Sequence, residues 1–170
     1  MSSIGVRLVT PGEADLEAIA DLVNRAFMVH RLMRGDRTDA AGLLEEAGPQ
    51  GQFIVVEEDG VLIGTAMVRP VDASDVHGDY APPPAALYYG LAGVEPSIMQ
   101  QGIGQLLLRE AERVAQERGH THLALNTLYE FDLVPYYARQ GFLAKHDETF
   151  EAGHWGLPEQ HRCCHMEKPL

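Results

Sequence analysis

The segment that most constrains this chain is Val94-Glu95-Pro96-Ser97-Ile98-Met99-Gln100-Gln101-Gly102-Ile103-Gly104, which joins an apolar, strand-like run to an amphipathic helical pattern. Residues 85–94 read as the strand. Ile103, Leu106, Leu107, Ala111, Val114 and Ala115 mark the apolar face of the helix, and Gly119 closes it. Residues 122–126 read as a further strand. Strand, helix and strand make a crossover unit, so the two strands are expected to lie parallel with a right-handed connection. The join itself has a definite physical capacity. The first amides of a helix lack intrahelical partners and the helix dipole favours negative charge there, so a glycine-bearing turn at that point can hold phosphate oxygens. Glycine keeps a Cβ out of the way.

The rest of the chain supplies an α/β context. Val6-Arg7-Leu8-Val9 reads as a short first strand. Thr10-Pro11-Gly12-Glu13 predicts a helix start, with Thr10 as N-cap and Glu13 completing a capping box. Leu16, Ile19, Ala20, Val23 and Phe27 follow at helical spacing. A second helix is predicted over 40–46, after the charged residues Arg31, Arg34, Asp36, Arg37 and Asp39. From Gln52 the period changes: 53–56 and 61–68 predict a hairpin across Glu58-Asp59-Gly60. Residues 72–84, polar and then proline-rich, read as a surface loop and the mobile element of the chain. Gly90 and Gly93 inside a strand suggest a bulge or a close approach by a ligand. A short helix over 134–139 precedes two strands, over 142–150 and 163–168, expected to pair antiparallel. No repeat or linker appears, so residues 1–170 read as one α/β domain.

Charge and cysteine content narrow the partners. A net charge of −12 argues against a nucleic-acid backbone or an anionic membrane surface, and it fits a cationic or neutral small substrate better. Adjacent Cys163 and Cys164 cannot build a disulfide framework, which points to a reducing compartment. The first residues lack the apolar core of a signal peptide, and no apolar run approaches the roughly 20 residues of a membrane span. A cytoplasmic protein is expected.

A Gly-x-Gly loop alone is a weak signal, and by itself a packing turn explains it better. The dinucleotide fingerprint needs a third glycine where this chain has Leu107, and the Gly-Lys-Ser/Thr ending of a Walker loop is absent. One strand further on lies Pro135-Tyr136-Tyr137-Ala138-Arg139-Gln140-Gly141-Phe142. Together the two stretches resemble the GNAT superfamily of acyl-CoA-dependent N-acyltransferases. There a [QR]-x-x-G-x-[GA] loop binds the coenzyme A pyrophosphate and an aromatic-Tyr-x-x-x-Gly-aromatic segment closes the site. Val94-Glu95-Pro96 and the ending Met166-Glu167-Lys168-Pro169-Leu170 are also similar to family members. The resemblance implies an α/β (α+β) mixed sheet of six to seven strands, mostly antiparallel with a parallel central pair, and about four helices.

It also implies roles, residue by residue. Gly102 and Gly104 fall on the small positions of the loop, with Gln100, Gln101, Ile103 and Gln105 supplying backbone amides to the phosphates. Ala92, Gly93 and Val94 run beside the pantetheine arm, and Asn126, ending the next strand, matches a frequent coenzyme-contacting position. Tyr137 falls on the tyrosine that commonly protonates the departing thiolate. Two departures stand out: Met99 occupies the Gln/Arg position, and Tyr88 and Tyr89 occupy the strand position where some members carry a general-base glutamate.

Amine acetylation needs a neutral nucleophile, because an alkylammonium of pKa near 10 must lose a proton before it attacks. Strand alternation lets only one of Tyr88 and Tyr89 meet substrate, and Glu95 reads as a loop charge past the strand end. Tyr136, Tyr137 and Phe142 read on spacing alone as core aromatics; the upstream loop tips Tyr137 toward function. His161, Cys163, Cys164 and His165 look metal-like in composition, but strand neighbours point to opposite faces, so no metal site is expected from them. His77, His120, His146 and His154 are assigned no role. The expected activity is acetyl transfer from acetyl-CoA to a primary amine on a small molecule, with a homodimer possible. A non-catalytic acyl-CoA-binding module and then a nucleotide-binding oxidoreductase are the ranked alternatives, and protein N-termini or lysines stay open as acceptors.

Overall fold

The computed structural model describes residues 1–29 and 35–170; Arg31 and Arg34 lie outside the described residues. Seven strands form one sheet in the order β1-β2-β3-β4-β5-β7-β6. They are β1 (Ile4–Val9), β2 (Gln52–Glu58), β3 (Val61–Pro70), β4 (Ala86–Val94), β5 (His122–Leu128), β6 (Leu143–Phe150) and β7 (His161–Pro169). Among the described residues the α-helices are α1 (Leu16–Met28), α2 (Ala40–Ala47), α3 (Ile103–Glu117) and α4 (Val134–Arg139). Every strand pair is antiparallel except β4 and β5. The mixed sheet with its parallel central pair is as expected.

The sheet has an apolar layer on each face. On one, Ile54, Val56, Val68, Leu87 and Tyr89 pack against Ile103, Leu107, Ala111 and Val114 of α3 and Tyr137 of α4. On the other, Val9, Phe53, Val55 and Met67 pack against Ile19 and Val23 of α1 and Leu43 of α2. The β2–β3 hairpin turns through Asp59 at φ 50° and Gly60 at φ 82°, the paired left-handed residues that match strand twist.

Two local expectations need correction. Thr10 and Glu13 do exchange hydrogen bonds, but within a turn; α1 begins at Leu16, capped by Asp15 whose carboxylate accepts from the Ala18 amide. The helical pattern therefore starts one turn later than the Thr-x-x-Glu signature suggests. Segment 72–84 is not a free surface loop. Asp75 is buried in a bidentate pair with Arg69 at 2.7 and 2.8 Å, His77 and Tyr80 pair as an isolated bridge, and Tyr80 Oη donates to Glu167. Asp72, Ser74 and Asp79 stay exposed, so the segment is a surface loop pinned by this network.

Helix α3 is seated on β3 through Gly64, where an added Cβ would stand 2.7 Å from Ile103 Cγ2. Gly64→Ala is therefore expected to lower stability by about 1–3 kcal/mol through overpacking. Urea unfolding checks this, as a lower midpoint at unchanged slope. Because Ile103 opens α3, the same variant is expected to loosen the glycine loop.

Candidate functional site

The parallel pair that carries the site is short. β4 and β5 align only over Ala86↔His122, Leu87↔Leu123 and Tyr88↔Ala124, after which β4 runs on to Val94 and β5 to Leu128 without pairing. The cause lies partly in β4. Thr65 pairs with Gly93 and Met67 with Gly90, so Ala66 on β3 faces two residues, Leu91 and Ala92. This bulge puts Leu91 at φ 49°, an uncommon conformation for a side-chain-bearing residue. The bulge expected from Gly90 and Gly93 is present, and it bends β4 away from β5.

A cavity of about 640 Å³ passes through the resulting splay. Tyr89, Leu125 and Tyr137 line it from the α3 face, and Tyr88, Asn126 and Phe27 from the α1 face. Its lip beyond Tyr88 is backbone of β4 with no β5 partner, able to offer polar groups to a ligand in extended conformation. Of the three residues expected beside a pantetheine arm, Ala92 lines the cavity. Gly93 turns toward α1, where a Cβ would stand 3.0 Å from Ala26 Cβ, and Val94 packs on the α3 side.

The glycine loop leaves β4 through a single 3₁₀ turn, Pro96–Ile98, and enters α3 at Gly102. Gly102 has φ 88° and caps α3 without a side chain, so the amides of Ile103, Gly104 and Gln105 keep their free direction. Space around Gly102 is open, with nothing within 4 Å of a built Cβ. Gln100 also adopts a left-handed φ of 67°, and Gln100, Gln101 and Gln105 are exposed. Ile103 differs: its side chain is buried, leaving only its amide to the loop. Met99, at the position where Gln or Arg was expected, is half-buried. An open left-handed glycine beneath uncapped helix amides fits a diphosphate.

Tyr137 sits on α4, whose bounds coincide with those read from the sequence. Its ring is buried against Tyr136 and Phe142, with centroids at 5.2 and 5.6 Å, and it borders the cavity. Among the described residues its hydroxyl has no protein partner. Burial raises the Tyr137 phenol above its ordinary pKa, so it stays protonated at neutral pH. Asn126 lies within β5, not at its end, and its Oδ1 accepts from Tyr88 Oη at 3.4 Å. It faces the α1 side, opposite Tyr137.

Tyr88 and Tyr89 do alternate faces, and both border the cavity. Tyr88 is stacked under Arg69, whose guanidinium lies 4.4 Å from the ring centroid. Burial pushes both phenols well above their ordinary range, so either can relay a proton but neither can act as a stored base. Glu95 forms a 2.9 Å ion pair with Arg25. It belongs to the loop's attachment to α1.

At the α1-side end the cavity is lined by Phe131, Phe150, His154, Trp155 and Leu157, with His77 and Glu148 also in the wall. This end was not visible in the sequence, because it is assembled from the 72–84 segment, β6 and the β6–β7 connection. His165 stands on β7, next to this end. It is buried, and burial holds its pKa below the ordinary histidine range.

The comparisons with known proteins agree with this fold. The profile of the Acetyltransferase (GNAT) family matches residues 16–142. No curated protein sequence matches the chain. Among solved structures, the chain is similar to the ribosomal-protein-S18-alanine N-acetyltransferase of Escherichia coli, at 16% identity and TM-score 0.71 over 99% of this chain and 94% of that one. It is also similar to the PaiA N-acetyltransferase of Thermoplasma acidophilum, determined in complex with coenzyme A: 16% identity, TM-score 0.70, 99% of both chains. A ribosomal-protein-alanine N-acetyltransferase of Brucella melitensis gives 21% identity and TM-score 0.70 over 98% of this chain and 99% of that one. No helix of the described residues is long and apolar enough to cross a membrane. The family match covers most of the chain and includes the splay, the glycine loop and the α4 tyrosine, so the chain belongs to the GNAT family of acyl-CoA-dependent N-acetyltransferases.

Proposed function

We propose that the protein transfers an acetyl group from acetyl-CoA to the primary amine of a small molecule. The observation that carries the acceptor class is the aromatic α1-side end of the cavity. Phe27, Phe131, Phe150, Trp155 and Tyr88 wall a space within the usual size range of small-molecule sites. The carboxylates along that wall are already engaged: Asp75 with Arg69, Glu46 with Arg37, and Glu148 with His77. Shape and aromatic contact, more than free negative charge, select the acceptor.

In this reading acetyl-CoA enters from the α3 side, with its diphosphate on the amides of Ile103, Gly104 and Gln105 and its arm along Ala92–Val94. The acceptor enters from the α1 side and meets the thioester in the splay. Its neutral nitrogen attacks the carbonyl carbon, and the proton it sheds leaves through water in the cavity. As the carbon–sulfur bond breaks, Tyr137 Oη donates its proton to the thiolate and recovers one from solvent. Unpaired β4 amides in the splay can polarise the carbonyl. Bringing both reactants to one gap supplies much of the acceleration, so no covalent enzyme intermediate is needed.

The test is thiol release from acetyl-CoA across a panel of arylalkylamines, polyamines and a peptide beginning with alanine. The peptide belongs in the panel because two of the structural neighbours are ribosomal-protein-alanine acetyltransferases. Turnover with a small amine and none with the peptide is the expected result. Turnover with the peptide alone overturns the acceptor class. Silence with every amine despite coenzyme binding leaves the non-catalytic acyl-CoA module as the better account.

A further inference from the structure

His77, Glu148 and His165 come from three separate elements and converge at the α1-side end of the cavity. His77 Nδ1 lies 3.1 Å and His165 Nε2 3.2 Å from the same carboxylate oxygen, Glu148 Oε2. All three donor atoms fall within 4.8 Å of one another. Strand alternation removes only Cys164, which packs in the α3-side core, while Cys163 packs with Leu128 and Leu157 on the other face. The cluster takes a single residue from β7. Glu148 of β6 is registered against Cys163, so it stands diagonal to His165 on the same face of the sheet.

We propose that these three residues bind a divalent transition-metal ion of the zinc type, with a further coordination position open to the cavity. Two imidazole nitrogens and one carboxylate oxygen, without thiolate, suit zinc and its first-row neighbours. In a tetrahedral site with bonds of about 2.0–2.1 Å, neighbouring ligand atoms stand roughly 3.3 Å apart, close to the two separations found here. The ligands are also held in place independently of any ion. His77 is fixed by reciprocal backbone bonds with Tyr80. The Tyr80 ring lies 5.0 Å from His165 and 5.6 Å from His146, and its hydroxyl is anchored on Glu167 at 2.7 Å. Such outer contacts orient metal ligands. The His77 and His165 rings approach to 4.7 Å. A shared cation makes that approach favourable, because both rings can then present lone pairs. His77 and Glu148 border the cavity while His165 lies buried, so the exchangeable position is on the cavity side.

This inference does not rest on acyl transfer, and its test reads metal directly. Untagged full-length protein is equilibrated with zinc or cobalt(II), desalted, and measured for metal content and cobalt visible absorption. One retained ion per chain, with the intense visible bands of four- or five-coordinate cobalt, is the expected result. Glu148→Gln and His77→Gln are expected to weaken binding at least roughly 100-fold while leaving circular dichroism unchanged. Both side chains are partly exposed, so these variants keep the fold. His120→Gln, at a half-buried histidine outside the cluster, serves as control and is expected to bind like the parent. Metal content no higher than background, a six-coordinate aqua-like cobalt spectrum, or equal affinity in parent, Glu148→Gln and His77→Gln proteins overturns the proposal.

Discussion

Gly102→Val is expected to raise the dissociation constant for coenzyme A by roughly 100-fold, equivalent to about 2.7 kcal/mol, while the protein remains folded. Gly102 holds φ at 88°, a region a β-branched residue enters only with strain. No atom lies within 4 Å of a Cβ built there, so the unliganded fold meets no clash. The strain falls instead on the turn that aims the amides of Ile103, Gly104 and Gln105, and the new side chain fills the space a phosphate would use. Gly102→Ala separates the two contributions, because alanine costs only about 1–2 kcal/mol in left-handed backbone. Titration calorimetry should therefore rank the affinities parent, alanine, valine. Equal affinities would place the diphosphate elsewhere.

The second large effect concerns turnover. Tyr137→Phe is expected to lower kcat by roughly 100-fold, the scale of a lost general acid, with little change in KM for acetyl-CoA. Removing the hydroxyl disturbs no hydrogen bond among the described residues, and the phenylalanine ring keeps the contacts to Tyr136 and Phe142. Loss of stability is therefore not the expected cause. Because burial raises the Tyr137 phenol, the parent enzyme should show no alkaline loss of kcat from this group below its ordinary pKa near 10. Tyr89→Phe is the natural comparison: it borders the same cavity on the same face, and kcat should fall far less.

What could be read from the sequence follows the range over which its signals act. Helix α4 matches its predicted bounds because Pro135 starts it and Gly141, at φ 98°, ends it. The β2–β3 hairpin was legible from Asp59-Gly60, and the β4 bulge from Gly90 and Gly93, since each is a local backbone requirement. The glycine turn at the start of α3 and the helix α4 are such contiguous motifs, so their backbone geometry was readable. Thr10 and Glu13 misled because their hydrogen bonds form as well in an isolated turn as at a helix start. The acceptor side was opaque for a different reason. Arg69 meets Tyr88, Tyr80 meets Glu167, and His77 meets Glu148 only after β3, β4, β6 and β7 are in register. No spacing in the chain records those meetings. Nothing in the chain's spacing linked His77 and Glu148 to His165 until the sheet brought them together.

The central claim is that one splay between β4 and β5 brings the donor's thioester to Tyr137 from the α3 side and leaves the α1 side to the acceptor. A crystal structure with acetyl-CoA tests this most directly. Diphosphate oxygens on the amides of Ile103, Gly104 and Gln105, with the sulfur within hydrogen-bonding reach of Tyr137 Oη and the acetyl group in the splay, is the expected result. A coenzyme whose diphosphate lies away from Gly102, or whose sulfur ends on the α1 side out of reach of Tyr137, would contradict it.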